Sequence, residues 1–170
     1  YESLKSTWRS FSLLFLNPPY DYDEESKRLE YRFLVRLTPY LQTGGLLIYV
    51  IVQKHLNRET ARYLASHFEN IHVRRFPDSD YEAYHQIVIF GARKESVYRD
   101  PKSERELEQV AFLPKADVPI LQHMPHPVYE LATPAVSFGF YLDDVNPELA
   151  LQEIGAKGLL RKGAARDQLF

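Results

Sequence analysis

Two short, almost wholly apolar segments flank an amphipathic stretch near the start of the chain. The first is FSLLFL at 11–16, and the second is LLIYVIV at 46–52. Such runs are typical of strands that are buried on both faces of a sheet. Between them, residues 24–41 carry apolar side chains at helical spacing, which predicts a helix that ends at Gly44-Gly45. Right-handed crossovers make a succession of this kind one wing of a doubly wound α/β sheet.

A second helix and two further strands are predicted downstream. Asn57 suits the N-cap of that helix. The segments IHVRRF at 71–76 and YHQIVIF at 84–90 predict strands, joined by a turn at 77–80 with no helix between them. Consecutive strands without a crossover helix pair antiparallel. The predicted fold is therefore a partial Rossmann-like α/β sheet with the order β-α-β-α-β-β. The apolar stripes of the two helices are Leu29, Phe33 and Leu37 in the first, and Ala61, Leu64, Ala65 and Phe68 in the second.

The composition changes near residue 95, beyond which seven of the eleven prolines lie. This change predicts an α/β region over 1–95 and a Pro-rich extension over 96–170. Within the extension the predicted elements are a helix at 103–112 capped by Ser103, an extended connector at 113–147, a strand at 136–142 and a helix at 147–155.

The composition excludes several classes of protein. The chain has no cysteine, which rules out a disulfide framework and a thiolate metal site and fits a reducing cytoplasm. No apolar run is long enough to span a membrane. The net charge of −2 argues against a generally basic coat for nucleic acid. His123 and His126 are separated by a proline and lack a nearby carboxylate, so we expect no metal site there.

The first predicted strand ends in Asn17-Pro18-Pro19-Tyr20. In an open α/β sheet, ligands bind just beyond the carboxyl ends of the strands. Two prolines fix the backbone and leave carbonyl acceptors, and the Asn17 side chain adds another acceptor. Tyr20 adds a flat ring beside them. The segment therefore predicts a slot for a planar group that carries an –NH2.

An amine conjugated with a ring or a carbonyl is a poor nucleophile because its lone pair is delocalised. Acceptors that bind its hydrogens stabilise the positive charge that develops as the nitrogen attacks. A reactive methyl group held in line would complete a direct displacement.

The tetrapeptide resembles the Asn-Pro-Pro-Tyr motif of the class I S-adenosylmethionine-dependent amino methyltransferases. That family includes N6-adenine DNA methyltransferases, RNA methyltransferases and protein glutamine methyltransferases, and the likeness extends over roughly residues 8–93. The resemblance implies that Asn17 and the Pro18 carbonyl bind the target nitrogen, that Pro19 shapes the turn, and that Tyr20 stacks on a flipped base. It implies S-adenosylmethionine as the cofactor.

The chain departs from that family in the cofactor half of the site. No G-x-G-x-x-G-like stretch occurs in the sequence, and the acidic residue expected on the cofactor ribose is also absent. We therefore expect the chain to be the second half of a methyltransferase domain from a longer protein, or a split or decayed relative. Its open strand edge then predicts self-association.

The function predicted from these features is methylation of the exocyclic amine of adenine in DNA by the intact protein. The alternatives are methylation of RNA adenine, methylation of protein glutamine, or a catalytically inactive module that binds nucleic acid. Arg58 and Arg62 lie one turn apart in a locally basic stretch at 54–75 and are candidates for phosphate contacts. An ordinary solvated helix face is the competing interpretation of these two arginines.

Overall fold

The structure is a computed structural model that describes residues 4–20, 28–122, 127–131, 133 and 139–142. The chain divides into two compact units. The smaller one contains two strands, β1 (Leu4–Ser6) and β6 (Phe140–Leu142), which pair antiparallel. The strand predicted at 136–142 is thus present over its last three residues. The predicted domain boundary near residue 95 stays a prediction.

The larger unit, Trp8–Phe138, contains a four-stranded sheet and four α-helices among its described residues. No helix in the described ranges is long and apolar enough to cross a membrane. In chain order the elements are β2 (Phe11–Leu16), α1 (Leu29–Leu37), β3 (Leu41–Val52), α2 (Arg58–His67), β4 (Phe68–Arg75), α3 (Asp78–Tyr84), β5 (Gln86–Arg93) and α4 (Pro101–Val110), with 3-10 turns at Thr38–Tyr40, Gln53–His55 and Lys115–Asp117.

The strand order of the sheet is β2-β3-β5-β4. Strands β2 and β3 are parallel, whereas β5 lies antiparallel to both of its neighbours, β3 and β4. The antiparallel pairing predicted for the last two strands is confirmed. The arrangement is that of a partial Rossmann-like methyltransferase core, as the sequence predicts.

One face of the sheet carries the main core. Tyr49, Ile51 and Ile89 project from the central strands and are fully buried together with Leu34 of α1 and Leu64 of α2. The opposite face is less covered at its β2 end, where Leu13 is 42% and Phe15 is 60% exposed. The expectation that residues 11–16 are buried on both faces is therefore wrong for these two side chains.

Two local predictions are corrected. The segment predicted as a simple turn after Pro77 begins a seven-residue helix, α3, with Tyr81 as its buried residue. Gly44 and Gly45 do not end the first helix but lie inside β3, which starts at Leu41. Gly44 has a φ of +73°, and a Cβ on Gly45 would lie 2.6 Å from the Leu41 Cδ1 atom, so the irregular pairing of β3 with β2 requires glycine here.

The first helix also buries a different line of residues from the predicted stripe. Glu30, Leu34 and Thr38 are buried, whereas the predicted Leu29 and Phe33 are only partly buried. Residues 24–27 of the predicted helix lie outside the described residues. Leu37 of the predicted stripe does pack against the core, so the buried line of α1 is displaced by one residue from the hydrophobic pattern, and it starts with a carboxylate.

The predicted helix at 103–112 is present as α4, but its cap is different. The Asp100 side chain accepts hydrogen bonds from the backbone N–H groups of Lys102 and Ser103. Pro101 occupies the first turn, where a missing N–H costs nothing. Ser103 is therefore inside the helix rather than at its cap.

Part of the Pro-rich connector lies along the outer edge of β4. The Arg75 N–H donates to the Pro119 carbonyl at 2.9 Å, and the Leu121 N–H donates to the Arg75 carbonyl at 2.7 Å. Farther along, the Tyr129 ring stacks on Phe90 with centroids 6.3 Å apart. The predicted helix at 147–155 and the pair His123 and His126 lie outside the described residues.

The exposed apolar side chains of β2 favour association between copies of the protein. In the described part of the chain, β2 is the terminal strand of the sheet on its side. Exposed, apolar terminal strands tend to pair with other chains. We expect sedimentation at micromolar concentration to show dimers or larger species, and a Phe15→Lys variant to shift the protein toward monomer. Wild-type protein that sediments as a monomer would contradict this expectation.

Candidate active site at the carboxyl end of the sheet

The four residues after β2 lie at the carboxyl edge of the sheet. Asn17 and Pro19 are exposed, Pro18 is buried, and Tyr20 is partly buried. The parallel neighbour β3 ends at the same edge, and the antiparallel strand β5 begins there. The motif is thus placed at the position where open α/β sheets bind ligands.

A chain of hydrogen bonds holds the Asn17 side chain. Gln86, the first residue of β5, donates from Nε2 to the Tyr20 hydroxyl oxygen at 2.9 Å. The Tyr20 hydroxyl in turn donates to Asn17 Oδ1 at 3.0 Å, with the Val50 carbonyl as a longer alternative at 3.4 Å. Because an amide oxygen has two acceptor sites, Asn17 can accept from a ligand while Tyr20 orients it.

The environment keeps Tyr20 protonated as a donor. Burial raises the pKa of its hydroxyl, the hydrogen bond from Gln86 opposes this effect, and the negative charge of Glu30 adds to it. A hydroxyl that stays neutral at physiological pH can keep donating to Asn17. The sequence predicts a role for the Tyr20 ring, and the structure adds this role for its hydroxyl group.

A buried carboxylate lies behind the motif. Glu30 Oε1 is 2.5 Å from Arg28 Nε and 2.9 Å from His55 Nδ1, and Arg28 Nη2 is 2.6 Å from the same histidine nitrogen. His55 also contacts the Tyr20 ring edge to face, with centroids 6.3 Å apart. A neutral His55 accepts from Arg28, whereas a protonated His55 would donate to Glu30 instead.

Two buried oxygen atoms next to this cluster lack hydrogen-bond partners among the described residues. They are Glu30 Oε2 and the Tyr49 hydroxyl. Burial and the charge of Glu30 raise the pKa of Tyr49, so this hydroxyl also stays protonated. Unsatisfied buried polar groups cost stability and are more common near functional sites than elsewhere.

Two partly buried histidines make stability depend on pH. Burial lowers the pKa of His55, with the charge of Arg28 adding to the effect, and burial likewise lowers the pKa of His67. The unfolded chain then binds more protons than the folded one below the ordinary value of 6.5, so stability falls as pH decreases through that region. We expect the urea midpoint to decrease between pH 7 and about pH 5.

The replacements His55→Gln and His67→Gln provide the control, because each removes one titrating group. The double variant should show a flatter dependence of the midpoint over that pH interval. The perturbed carboxyl groups Asp78, Asp100 and Glu104 have pKa values lowered from 3.8, 3.8 and 4.5, so they titrate below this interval. An unchanged slope in the double variant would contradict the assignment to these histidines.

The predicted phosphate-binding arginines lie on the surface where α2 meets α4. Arg58 Nε is 3.6 Å and Arg62 Nε is 3.3 Å from Glu104 Oε1, while their side chains stay 66% and 50% exposed. Burial of Glu104 acts to raise its pKa, but the ion pairs with Arg62 and Arg99 outweigh it and the pKa is lowered. The structure gives both arginines a structural partner, and their contact with nucleic acid stays a prediction.

The described residues do not fit the adenosine part of S-adenosylmethionine. In the described ranges, no strand is followed by a glycine-rich turn: Gly44 and Gly45 lie within β3, and Gly91 lies within β5. Gly91 faces Phe68, whose Cβ would be 3.1 Å from an added Cβ, so its role is close packing. The described residues thus include no glycine-rich loop of the kind that holds the adenosine of a methyl donor.

Two residues of the site were missed from sequence. Glu30 follows an apolar residue in the predicted helix and is preceded by several charged residues, so it resembles one more solvated side chain. Gln86 has an amide side chain and directly precedes the apolar run IVIF at 87–90, and this was a usable signal. Neither signal shows that Gln86 donates to Tyr20 or that Glu30 contacts His55, because these residues lie on different elements.

The fold is that of a partial Rossmann-like methyltransferase core, and the family match below gives the class of protein. Residues 3–135 match an uncharacterised methyltransferase family, DUF6094. The match covers most of the chain, and the protein belongs to that family. A comparison with curated proteins finds no match.

Proposed function

We propose that the protein supplies the target side of a site that methylates the exocyclic amino group of adenine in DNA, with S-adenosylmethionine as the donor held by residues other than the described ones. The observation that carries this proposal is the exposed Asn17 side chain, whose Oδ1 atom is held by the Tyr20 hydroxyl at 3.0 Å beyond the end of β2. An oriented acceptor at this edge suits an –NH2 group on a planar ring. Membership in a methyltransferase family supports a methyl group as the one transferred.

The residues of the site have distinct roles in this proposal. Asn17 and the Pro18 carbonyl accept the hydrogens of the amine and stabilise positive charge as it develops on the nitrogen. Tyr20 supplies a face against which an unstacked base rests, and its hydroxyl fixes Asn17. S-adenosylmethionine supplies the methyl group. Arg58 and Arg62 are proposed to contact phosphates, although their ion pairs with Glu104 weaken that part of the proposal.

The test is incorporation of a labelled methyl group from S-adenosylmethionine into separate polymers. Single-stranded DNA, duplex DNA, RNA and a glutamine-containing protein extract are incubated with the protein, and products are identified by mass spectrometry. N6-methyladenine in DNA supports the proposal. Label confined to RNA or to glutamine would show that RNA or protein, and not DNA, is the substrate. No label in any polymer would favour an inactive binding module.

Two substitutions of Tyr20 separate the ring from the hydroxyl. Tyr20→Ala removes the stacking face, and base–aromatic stacking is worth about 1–3 kcal/mol, so we expect a loss of tenfold or more in turnover. Tyr20→Phe keeps the ring but releases Asn17, and we expect a smaller loss of a fewfold. The readout is the initial rate of methyl incorporation. Equal rates for the two variants would contradict a role for stacking.

A further inference from the structure

A cavity of about 480 Å³ lies beside the motif, at the same edge of the sheet. Its walls come from the 3-10 turn after β3, the end of α3 and the segment after α4. Six of its lining residues, which we call the aromatic groove, are Lys54, His55, Tyr84, His85, Phe112 and Leu113.

The groove presents large apolar surfaces to solvent. Phe112 is 83% exposed, Tyr84 is 64% exposed and Leu113 is 38% exposed. Single exposed apolar residues are common on protein surfaces, but several around one cavity indicate a binding site. Two exposed aromatic rings at a cavity are suited to a flat ligand that stacks on them.

The charge around the groove favours an anionic ligand. Lys54 lines the groove and its side chain is exposed to solvent. Of the three carboxylates of α3, Asp78 pairs with Arg75 at 2.7 Å and Glu82 pairs with Lys115 at 2.7 Å, whereas Asp80 is exposed and does not line the groove. A flat group joined to a phosphate complements this surface.

The groove is continuous with the candidate active site. His55 lines the groove and also contacts the Tyr20 ring. The backbone N–H of Gln53, at the base of the groove, donates to the His85 carbonyl at 2.8 Å, and Gln86 next to it donates to Tyr20. A polymer with one residue in the target slot would place an adjacent residue here.

We propose that the aromatic groove binds a nucleotide adjacent to the target adenine in an unpaired segment of DNA, and this rests on the proposed function. The base stacks on Tyr84 or Phe112, and the phosphate contacts Lys54. Stacking of this kind is tolerant of sequence, because every base has a flat face. The groove therefore gives affinity for the strand rather than recognition of a particular sequence.

The test uses the whole chain and a fluorescein-labelled DNA oligothymidylate, which contains no adenine and so cannot occupy the target slot as substrate. Binding is measured by fluorescence anisotropy. We expect Tyr84→Ala and Phe112→Ala each to weaken binding by about tenfold. Lys54→Gln should reduce the dependence of log affinity on log salt by about one unit.

The matched control is Trp8→Ala. Trp8 is 71% exposed and precedes β2, so it lies toward the opposite edge of the sheet. The Trp8→Ala variant should therefore leave binding unchanged. Equal weakening by Trp8→Ala and Phe112→Ala, or no binding by the wild-type chain, would overturn the inference.

A second measurement needs no substitution. An oligothymidylate that contains 5-iododeoxyuridine is irradiated with the wild-type protein, and the adducts are located by mass spectrometry. Adducts on Tyr84 or Phe112 support the groove, whereas adducts confined to other regions overturn it.

If binding depends on the groove but no DNA is methylated, the groove stands and the proposed function fails. If DNA is methylated and the groove variants bind like wild type, the proposed function stands and the groove is rejected.

Discussion

The Asn17→Ala variant should lose methyl transfer by a factor of about one hundred to one thousand, because it removes a preorganised acceptor that acts as charge develops. The fold should be unaffected, since the Asn17 side chain is exposed. The measurement is the rate of labelled methyl incorporation into the polymer that the wild-type protein modifies. Circular dichroism and the urea midpoint report on the fold.

Asn17→Asp is the matched control for this result. In the wild-type protein the Tyr20 hydroxyl donates to Asn17 Oδ1 at 3.0 Å. The aspartate keeps an oxygen that can accept this hydrogen bond, and it keeps the size of the side chain. We expect it to retain more activity than Asn17→Ala. If Asn17→Ala were as active as the wild-type protein, Asn17 would not act as the acceptor for the target amine. The main support for the proposed substrate would then be lost.

The strands and the motif were predictable because their signals are local. A run such as LLIYVIV within β3 is apolar at every position, and the central strands are buried on one face and mostly partly buried on the other. The motif lies directly after β2, so its place at the carboxyl edge follows once the strand is recognised. Antiparallel pairing of β4 and β5 was predicted because no helix was expected between them; the pairing is confirmed, although the short helix α3 connects the two strands.

Elements whose signals are ambiguous were predicted less well. The sequence Pro77-Asp78-Ser79-Asp80 suits both a turn and the first turn of a helix, and a single buried residue, Tyr81, stabilises the helical outcome. Gly44-Gly45 normally marks the end of an element, but here the strand continues through it with a shift in pairing register. In both places the neighbouring elements decide between two locally acceptable conformations.

The supporting residues of the site depend on tertiary structure and could not be paired from sequence. Gln86 is 66 residues from Tyr20 along the chain, and Arg28 is 27 residues from His55. Their partnerships exist because β5 lies between β3 and β4 and because α1 begins next to the end of β3. No periodicity in the sequence encodes that arrangement.

The same tertiary arrangement predicts the largest effect on stability. Glu30→Ala removes a carboxylate whose side chain is only 2% exposed and leaves Arg28 and His55 without their shared partner. Removing one member of a buried ion pair typically costs about 3–5 kcal/mol. Since the stability of a domain is about 5–15 kcal/mol, the variant should unfold at a much lower urea concentration.

Two variants calibrate this result in the same urea titration. Glu30→Gln keeps the size of the side chain and a hydrogen-bond acceptor. It should therefore lower the free energy of unfolding by less than Glu30→Ala does. Glu59→Ala removes an exposed carboxylate from the first turn of α2 and should change the unfolding free energy by less than about 1 kcal/mol. A midpoint for Glu30→Ala equal to that of Glu59→Ala would show that Glu30 contributes no more than a surface charge. A large loss would instead place the Glu30 cluster among the main determinants of the fold, directly behind Tyr20, where it also holds His55 against the Tyr20 ring.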